Sequence, residues 1–136
     1  MRKHTLSWWK KQADKYFSIC VRRLEVDKNG YCACITCGVK KPWKEMQNGH
    51  YIPRNHLSTR FDERNCAPQC VGCNMFGRGK HDQFALVLIK KYGKDILEEL
   101  NSAKNKPTKY KISDYQEMVE MYQDALAGLD MRDGKI

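Results

Sequence analysis

Two short cysteine pairs, Cys34-Ile35-Thr36-Cys37 and Cys70-Val71-Gly72-Cys73, have the residue types and spacing best suited to chemistry. A Cys-x-x-Cys pair places two thiols on one tight knuckle, and two knuckles supply the four sulfurs of a tetrahedral zinc cage. The 32 residues between them, 38 to 69, would then be tied into one unit by the metal. A shell closed by four cysteines leaves the metal no open position, so this zinc is expected to be structural. Catalysis, if present, must come from other side chains.

The candidates lie inside and just after that insert. Asn48-Gly49-His50-Tyr51-Ile52-Pro53-Arg54 comes first, then Arg60-Phe61-Asp62-Glu63-Arg64-Asn65, and Asn74 directly follows the second knuckle. Hydrolysis of a phosphodiester needs a base for water, neutralisation of the phosphate, and a cation at the leaving oxygen. His50 suits the base, the amide oxygen of Asn74 suits a Mg²⁺-type ion, and an arginine suits the phosphate. A lone histidine is more often a satisfied structural residue. His50 stands out because it sits between the knuckles, close to the break at Pro53, among Arg54, Arg60, Arg64 and Arg78.

Charge points the same way. The chain of 136 residues carries a net +9, distributed as +7 over residues 1–45, +4 over 46–91 and −2 over 92–136. The positive charge therefore lies with the proposed site and the segment leading into it, where a polyanion would be held by phosphate contacts. A merely solubilising basic surface is the plainer alternative. No apolar run is long enough to span a membrane, and the first ten residues lack the apolar core of a signal peptide. The chain therefore reads as cytosolic. In a reducing compartment, seven cysteines with two Cys-x-x-Cys pairs favour metal over disulfides, which leaves Cys20, Cys32 and Cys66 as buried thiols.

The elements that must position these groups are legible as periodicity and punctuation. Ser7 is read as the N-cap of a first helix whose apolar stripe runs through Trp9, Ala13, Tyr16, Phe17, Cys20 and Leu24. Trp8 and Trp9 are read as core anchors rather than base-stacking platforms. Asn29-Gly30 marks a turn, Tyr31 to Cys37 a short strand, Lys41-Pro42-Trp43 a loop, and Met46 to Ile52 a strand carrying His50. Residues 54–65 read as loop with short turns. Asn74 opens a short helix, and Asp82 caps another that ends at Gly93. A short helix follows from Asp95 to Ser102. Ser113-Asp114-Tyr115-Gln116 fits a capping box opening a last helix through about Leu129. The expected fold is α+β in a single domain: a basic helix over 1–30, a zinc-stapled core over 31–82 and a helical region over 83–136.

The order Cys-x-x-Cys, Gly-His, Asn, Cys-x-x-Cys-Asn resembles the zinc-containing HNH nucleases, which have a ββα-metal fold. More closely, Cys34-Ile35-Thr36-Cys37-Gly38, Gly49-His50-Tyr51, Arg60 to Asn65 and Gln69-Cys70-Val71-Gly72-Cys73-Asn74 resemble the NinG (Rap) recombination proteins of lambdoid phages. The resemblance covers most of the chain. It implies a structure-selective endonuclease on branched intermediates such as Holliday junctions and D-loops, in the cytoplasm of a bacterial host. It makes His50 the general base, Asn65 the residue orienting the loop, and Asn74 a ligand of Mg²⁺ or Mn²⁺. Many HNH sites carry an acidic or histidine ligand directly before the base, where this chain has Gly49. Some NinG-like sequences carry Asp three positions before the histidine, where this chain has Gln47. Glu63, Asp62 and His56 are the substitutes considered, Glu63 first. Arg54, Arg60, Arg64, Arg78 and Lys80 are the expected DNA contacts. His81 is read as a solvated residue at a helix start. Because a junction has two strands to cut, a homodimer through the last helix would suit it. Two other functions compete: a zinc module that binds nucleic acid without cutting, and an HNH enzyme that cuts linear duplex at defined sequences.

Overall fold

The computed structural model describes residues 3–135; positions 1, 2 and 136, the outer ends of the first and last segments, lie outside the described residues. Among the described residues the fold is α+β, with two small two-stranded sheets and five α-helices. Helix α1 (Leu6–Arg23) is capped by Thr5, whose Oγ1 accepts from the Trp8 N–H at 3.1 Å. Ser7, the expected cap, is instead inside the first turn, because Thr5 already has the extended backbone a cap needs.

Gly30, at φ +80°, turns the chain into β1 (Tyr31–Ala33). This strand pairs antiparallel with β2 (Lys40–Pro42), so the stretch read as loop is the second arm of a hairpin whose tip is the first knuckle. Strand β3 (Met46–His50) pairs antiparallel with β4 (Cys66–Cys70), in a register that sets His50 opposite Cys66 and Met46 opposite Cys70. The β3–β4 connection holds the short helix α2 (Leu57–Arg60) and a single turn at Glu63–Asn65. After β4 comes a short, wide helical turn of π type, Gly72–Phe76, which begins two residues before the short helix expected from Asn74.

Helices α3 (His81–Tyr92) and α4 (Ile96–Lys104) follow. The first has Lys80 at its cap position, which places Asp82, the expected cap, inside the first turn. Helix α5 (Ile112–Arg132) starts earlier than the capping box predicts, since Asp114 Oδ2 accepts from the Lys111 N–H at 2.7 Å.

Three apolar seams hold these pieces. Ile52 and Ala67 pack with Phe84, Leu88, Ile96 and Leu100, joining the hairpin of β3 and β4 to α3 and α4. Cys32, Cys34, Met46, Cys70 and Cys73 form the knuckle seam, backed by Val26 and Trp43. Ala13 and Phe17 of α1 meet Tyr115, Val119 and Tyr122 of α5, with Phe61 between them. The apolar stripe of α5 is buried on α1 at Tyr115, Val119 and Tyr122, while Ala125 is exposed and Leu126 and Leu129 are half-buried. At the far end, Arg23 is buried and pairs with Asp130 at 2.8 Å and Asp133 at 3.0 Å, fixing the two helices side by side.

Candidate functional site

The four knuckle cysteines come together. Their sulfurs all lie within 4.8 Å of one another, and Cys34, Cys70 and Cys73 are buried while Cys37 is exposed. Cys37 Sγ is 3.8 Å from Cys70 Sγ, close to the separation of about 3.8 Å that zinc–sulfur bonds of about 2.3 Å impose on a tetrahedron. Burial alone would raise the Cys34 thiol. Hydrogen bonds from the Thr36 hydroxyl and from backbone groups of Cys70, Cys37 and Thr36 outweigh it and bring the thiol down to about 6. A cluster of this shape and charge fits zinc, and it is the one group of metal-ligating side chains of this kind among the described residues.

His50 ends β3 and turns into an open cleft of about 790 Å³. Its Nε2 lies 3.0 Å from the backbone oxygen of Arg60, which can only accept, so Nε2 carries the hydrogen and Nδ1 is left as the acceptor. Burial lowers the pKa of His50 below its usual 6.5. The charges of Arg54 and Arg60 push it the same way, against the hydrogen bonds to the backbone of Arg60 and Asn48. The imidazole is therefore neutral at pH 7 and able to take a proton.

Arg60 does two things at once. Its carbonyl holds the His50 ring, while its guanidinium donates from Nε to Asp14 Oδ1 of α1 at 2.8 Å and from Nη1 to the Arg54 carbonyl at 3.0 Å. Asn65 is fully buried beneath the same loop. Its Oδ1 accepts from Ile52 N at 2.7 Å, and its Nδ2 donates to the carbonyls of Ile52 at 3.0 Å and Thr59 at 3.1 Å. The loop after His50 is thus pinned from inside by Asn65 and from outside by Asp14.

Asn74 lines the cleft opposite α1 and donates from Nδ2 to Gln47 Oε1 at 2.7 Å. Asn48 lines it too, with a buried Oδ1 that has no partner among the described residues. Arg54 and Arg78 complete the rim.

Other expected residues lie elsewhere. Arg60 is paired with Asp14, and Arg64 with Asp62 and with Glu99 at 2.8 Å, and neither lines the His50 cleft. Asp62 caps its own turn by accepting from Arg64 N. Glu63 faces a different cavity, lined by Phe17, Cys20 and Cys66. His56, at the start of α2, and Lys80 are not among the residues lining the His50 cleft. The structure therefore does not bring Glu63, Asp62 or His56 to His50.

It brings other residues there instead. Gln47, Asn48 and His81 line the cleft, and so does one face of α1: Lys11, Asp14, Lys15, Ser18 and Arg22. Steps of three and four residues mark that face in the sequence as a polar stripe opposite the apolar one, a signal open to reading. His81, expected as a solvated residue at a helix start, is exposed at the first position of α3, with its ring edge-on to Tyr51 at 5.9 Å.

The glycine before His50 also has a reason. A Cβ there would stand 2.4 Å from Gln69 Oε1 and 2.9 Å from Gln69 Cβ. Gln69 is fully buried, and its Nε2 donates to Thr36 Oγ1 at 3.1 Å and Gly79 O at 2.8 Å. The space an acidic ligand would need is filled by a side chain that joins the first knuckle to the turn after the second.

The sequence model of the family described as "Bacteriophage Lambda NinG protein" matches residues 2–132. Similar curated proteins include the Protein ninG of Escherichia phage 933W, at 29% identity over 90% of this chain and 59% of that protein. The Protein ninG of Escherichia phage lambda is 29% identical over 90% of this chain and 58% of its own length. For that of Salmonella phage P22 the figures are 29%, 95% and 60%. The chain thus spans about three fifths of the length of these relatives. No solved structure matches it. No described helix is long and apolar enough to cross a membrane.

Proposed function

The chain belongs to the NinG family, and from that membership and the cleft around His50 we propose that it is an HNH-type, ββα-metal endonuclease acting on branched DNA. The observation that carries this reading is the His50 ring held through Nε2 on the Arg60 carbonyl at 3.0 Å, in a cleft rimmed by cations. The four-cysteine cluster, loaded with zinc, is the staple that sets β3 against β4 and the turn bearing Asn74.

In this reading His50 Nδ1 accepts the proton of the attacking water. Asn65 holds the loop so that the ring keeps its aim. Arg54 and Arg78 neutralise the phosphate, and Lys11 and Lys15 hold the flanking backbone. Asn74 and the unpartnered Oδ1 of Asn48 offer neutral oxygen donors. Such a pair suits Mg²⁺ or Mn²⁺, which keep several waters and complete their charge balance with substrate phosphate. That ion would stabilise the charge developing on the leaving oxygen. Holliday junctions and D-loops are the proposed substrates, the host cytoplasm the place of action, and a homodimer the assembly that would cut both strands of a junction.

The test is cleavage of four-way junctions against linear duplex with Mg²⁺ or Mn²⁺. Preferential cutting of the junction by the wild type, lost in His50→Ala with DNA binding retained, is the expected result. Salt-sensitive binding with no cutting under either ion would identify a zinc module that only binds. Cutting of linear duplex at defined sequences would identify an enzyme of restriction or homing type.

A further inference from the structure

Phe76 is 84% exposed, the most open of the exposed large apolar side chains, and it belongs to none of the three seams. A lone exposed aromatic is ordinary on a protein surface. This one differs in its frame, its neighbours and its position.

The turn that carries it begins at the second knuckle and is laced by its own backbone. Gly77 N donates to Gly72 O at 2.7 Å, Gly79 N to Cys73 O at 2.9 Å, and Lys80 N to Gly77 O at 3.1 Å. The buried Gln69 amide grips Gly79 O from beneath at 2.8 Å. Arg78 and Lys80 adopt φ +54° and +48°, a left-handed backbone that costs a non-glycine residue energy and recurs at functional sites. A Cβ at Gly77 would stand 2.8 Å from Cys73 O, so the corner is closed to bulkier residues. The ring is therefore held out on a rigid corner.

Phe76 also lies between two residues that line the His50 cleft, Met75 and Arg78, and Met75 is itself 60% exposed. Gln47 Nε2 donates to Met75 Sδ at 3.4 Å, tying this rim to the strand that carries His50. An apolar wedge flanked by cations beside a polyanion-binding cleft is the arrangement by which proteins enter a base stack. We infer that Phe76 is a wedge that inserts between bases of the DNA held in the His50 cleft, at the unstacked steps of a branch point. The inference rests on the reading of that cleft as a DNA site, and it gives that site a source of preference for branched over continuous duplex. Unstacked steps admit a ring at little cost, whereas intact duplex must first be opened.

The experiment compares wild type, Phe76→Ala and Phe76→Trp on four-way junctions and linear duplex carrying 2-aminopurine beside the branch or at mid-sequence. Binding is measured without added Mg²⁺ or Mn²⁺. Wild type is expected to change 2-aminopurine fluorescence at the branch. Phe76→Ala is expected to lose that change and about tenfold in junction affinity, with affinity for linear duplex held within about twofold. Phe76→Trp should restore both, and an unaltered zinc content and melting temperature confirm that the corner is intact. A Phe76→Ala protein that binds the junction and changes its fluorescence as the wild type does overturns the wedge while leaving the cleft reading in place. Absence of binding and cutting of any DNA by the wild type overturns the cleft reading and the wedge with it.

Discussion

The cysteine cluster, at one end of β3 and β4, and the His50 cleft, which runs along β3 from Met46 to His50, are built on contrary principles. At one end, beside Met46 and Cys70, four soft ligands converge and three of them are buried. In the cleft, a base at the far end of β3 and the amide groups of Gln47, Asn48 and Asn74 border an open space, and what holds them in place lies behind them. The cluster is completed by its own atoms plus one ion. The cleft gains its positioning from Asn65, Gln69 and the Asp14–Arg60 pair, and its half-buried His50, Asn48 and Asn74 are not closed around an ion of their own. A damaged cluster should therefore cost the fold, and a damaged cleft should cost the chemistry alone.

The largest expected effect falls on the cluster. Cys70→Ser should lower zinc content from about one per chain to near zero and unfold the middle of the chain, because zinc binding at such sites is worth on the order of 10 kcal/mol. Metal analysis and circular dichroism check this, and a native protein without zinc would erase the contrast. Next, His50→Ala should lower junction cleavage by about a hundred- to ten-thousand-fold while changing stability by about 1 kcal/mol. Steady-state rates beside urea melts separate the two. Because burial lowers the His50 pKa below 6.5, activity should persist at pH 6.5 and fall only at more acid values. The same shift means that the unfolded chain binds the proton more readily, so this residue's contribution to stability declines as pH falls below 6.5. A cleavage–pH profile whose acid limb lies above 6.5 would remove His50 as the base.

Gly49→Ala tests the ground between the two regions. The new methyl group would press on Gln69, which is bonded to Thr36 of the first knuckle and to Gly79 after the second, and should cost about 1–3 kcal/mol in urea melts. No loss of stability would show that Gln69 is free to move. The smallest effect belongs to the outer wall. Lys11→Ala with Lys15→Ala should leave stability unchanged and reduce the slope of log affinity against log salt by about 2.

The sequence exposes the cluster more fully than the cleft. Cysteine spacing states its chemistry directly, since four sulfurs in two knuckles have few other uses. Helix periods of three and four likewise mark α1, α3, α4 and α5, though Thr5 and Asp114 shift the ends. Strands of three residues, such as Lys40–Pro42, are too short to show a period, and Cys66–Cys70 has both faces largely covered. The acidic partners also escaped sequence reading. Nearness along the chain favoured Glu63 and Asp62 as neighbours of His50, but their side chains serve another cavity and a local cap. Asp14, the carboxylate that does border the cleft, lies 36 positions before His50 and reaches it only because α1 packs against β3.

Arg60 gives that long-range contact a further meaning. One residue ties its carbonyl to the base and its guanidinium to a carboxylate on a helix outside the cysteine-bearing stretch. A fragment cut to residues 31–82 would retain all four cluster ligands, His50, Asn65 and Asn74, yet leave Asp14 behind. Such a piece looks like a portable cassette in one dimension and is not one in three. Anyone grafting this chemistry onto another scaffold must bring α1 along, or supply a carboxylate in its place.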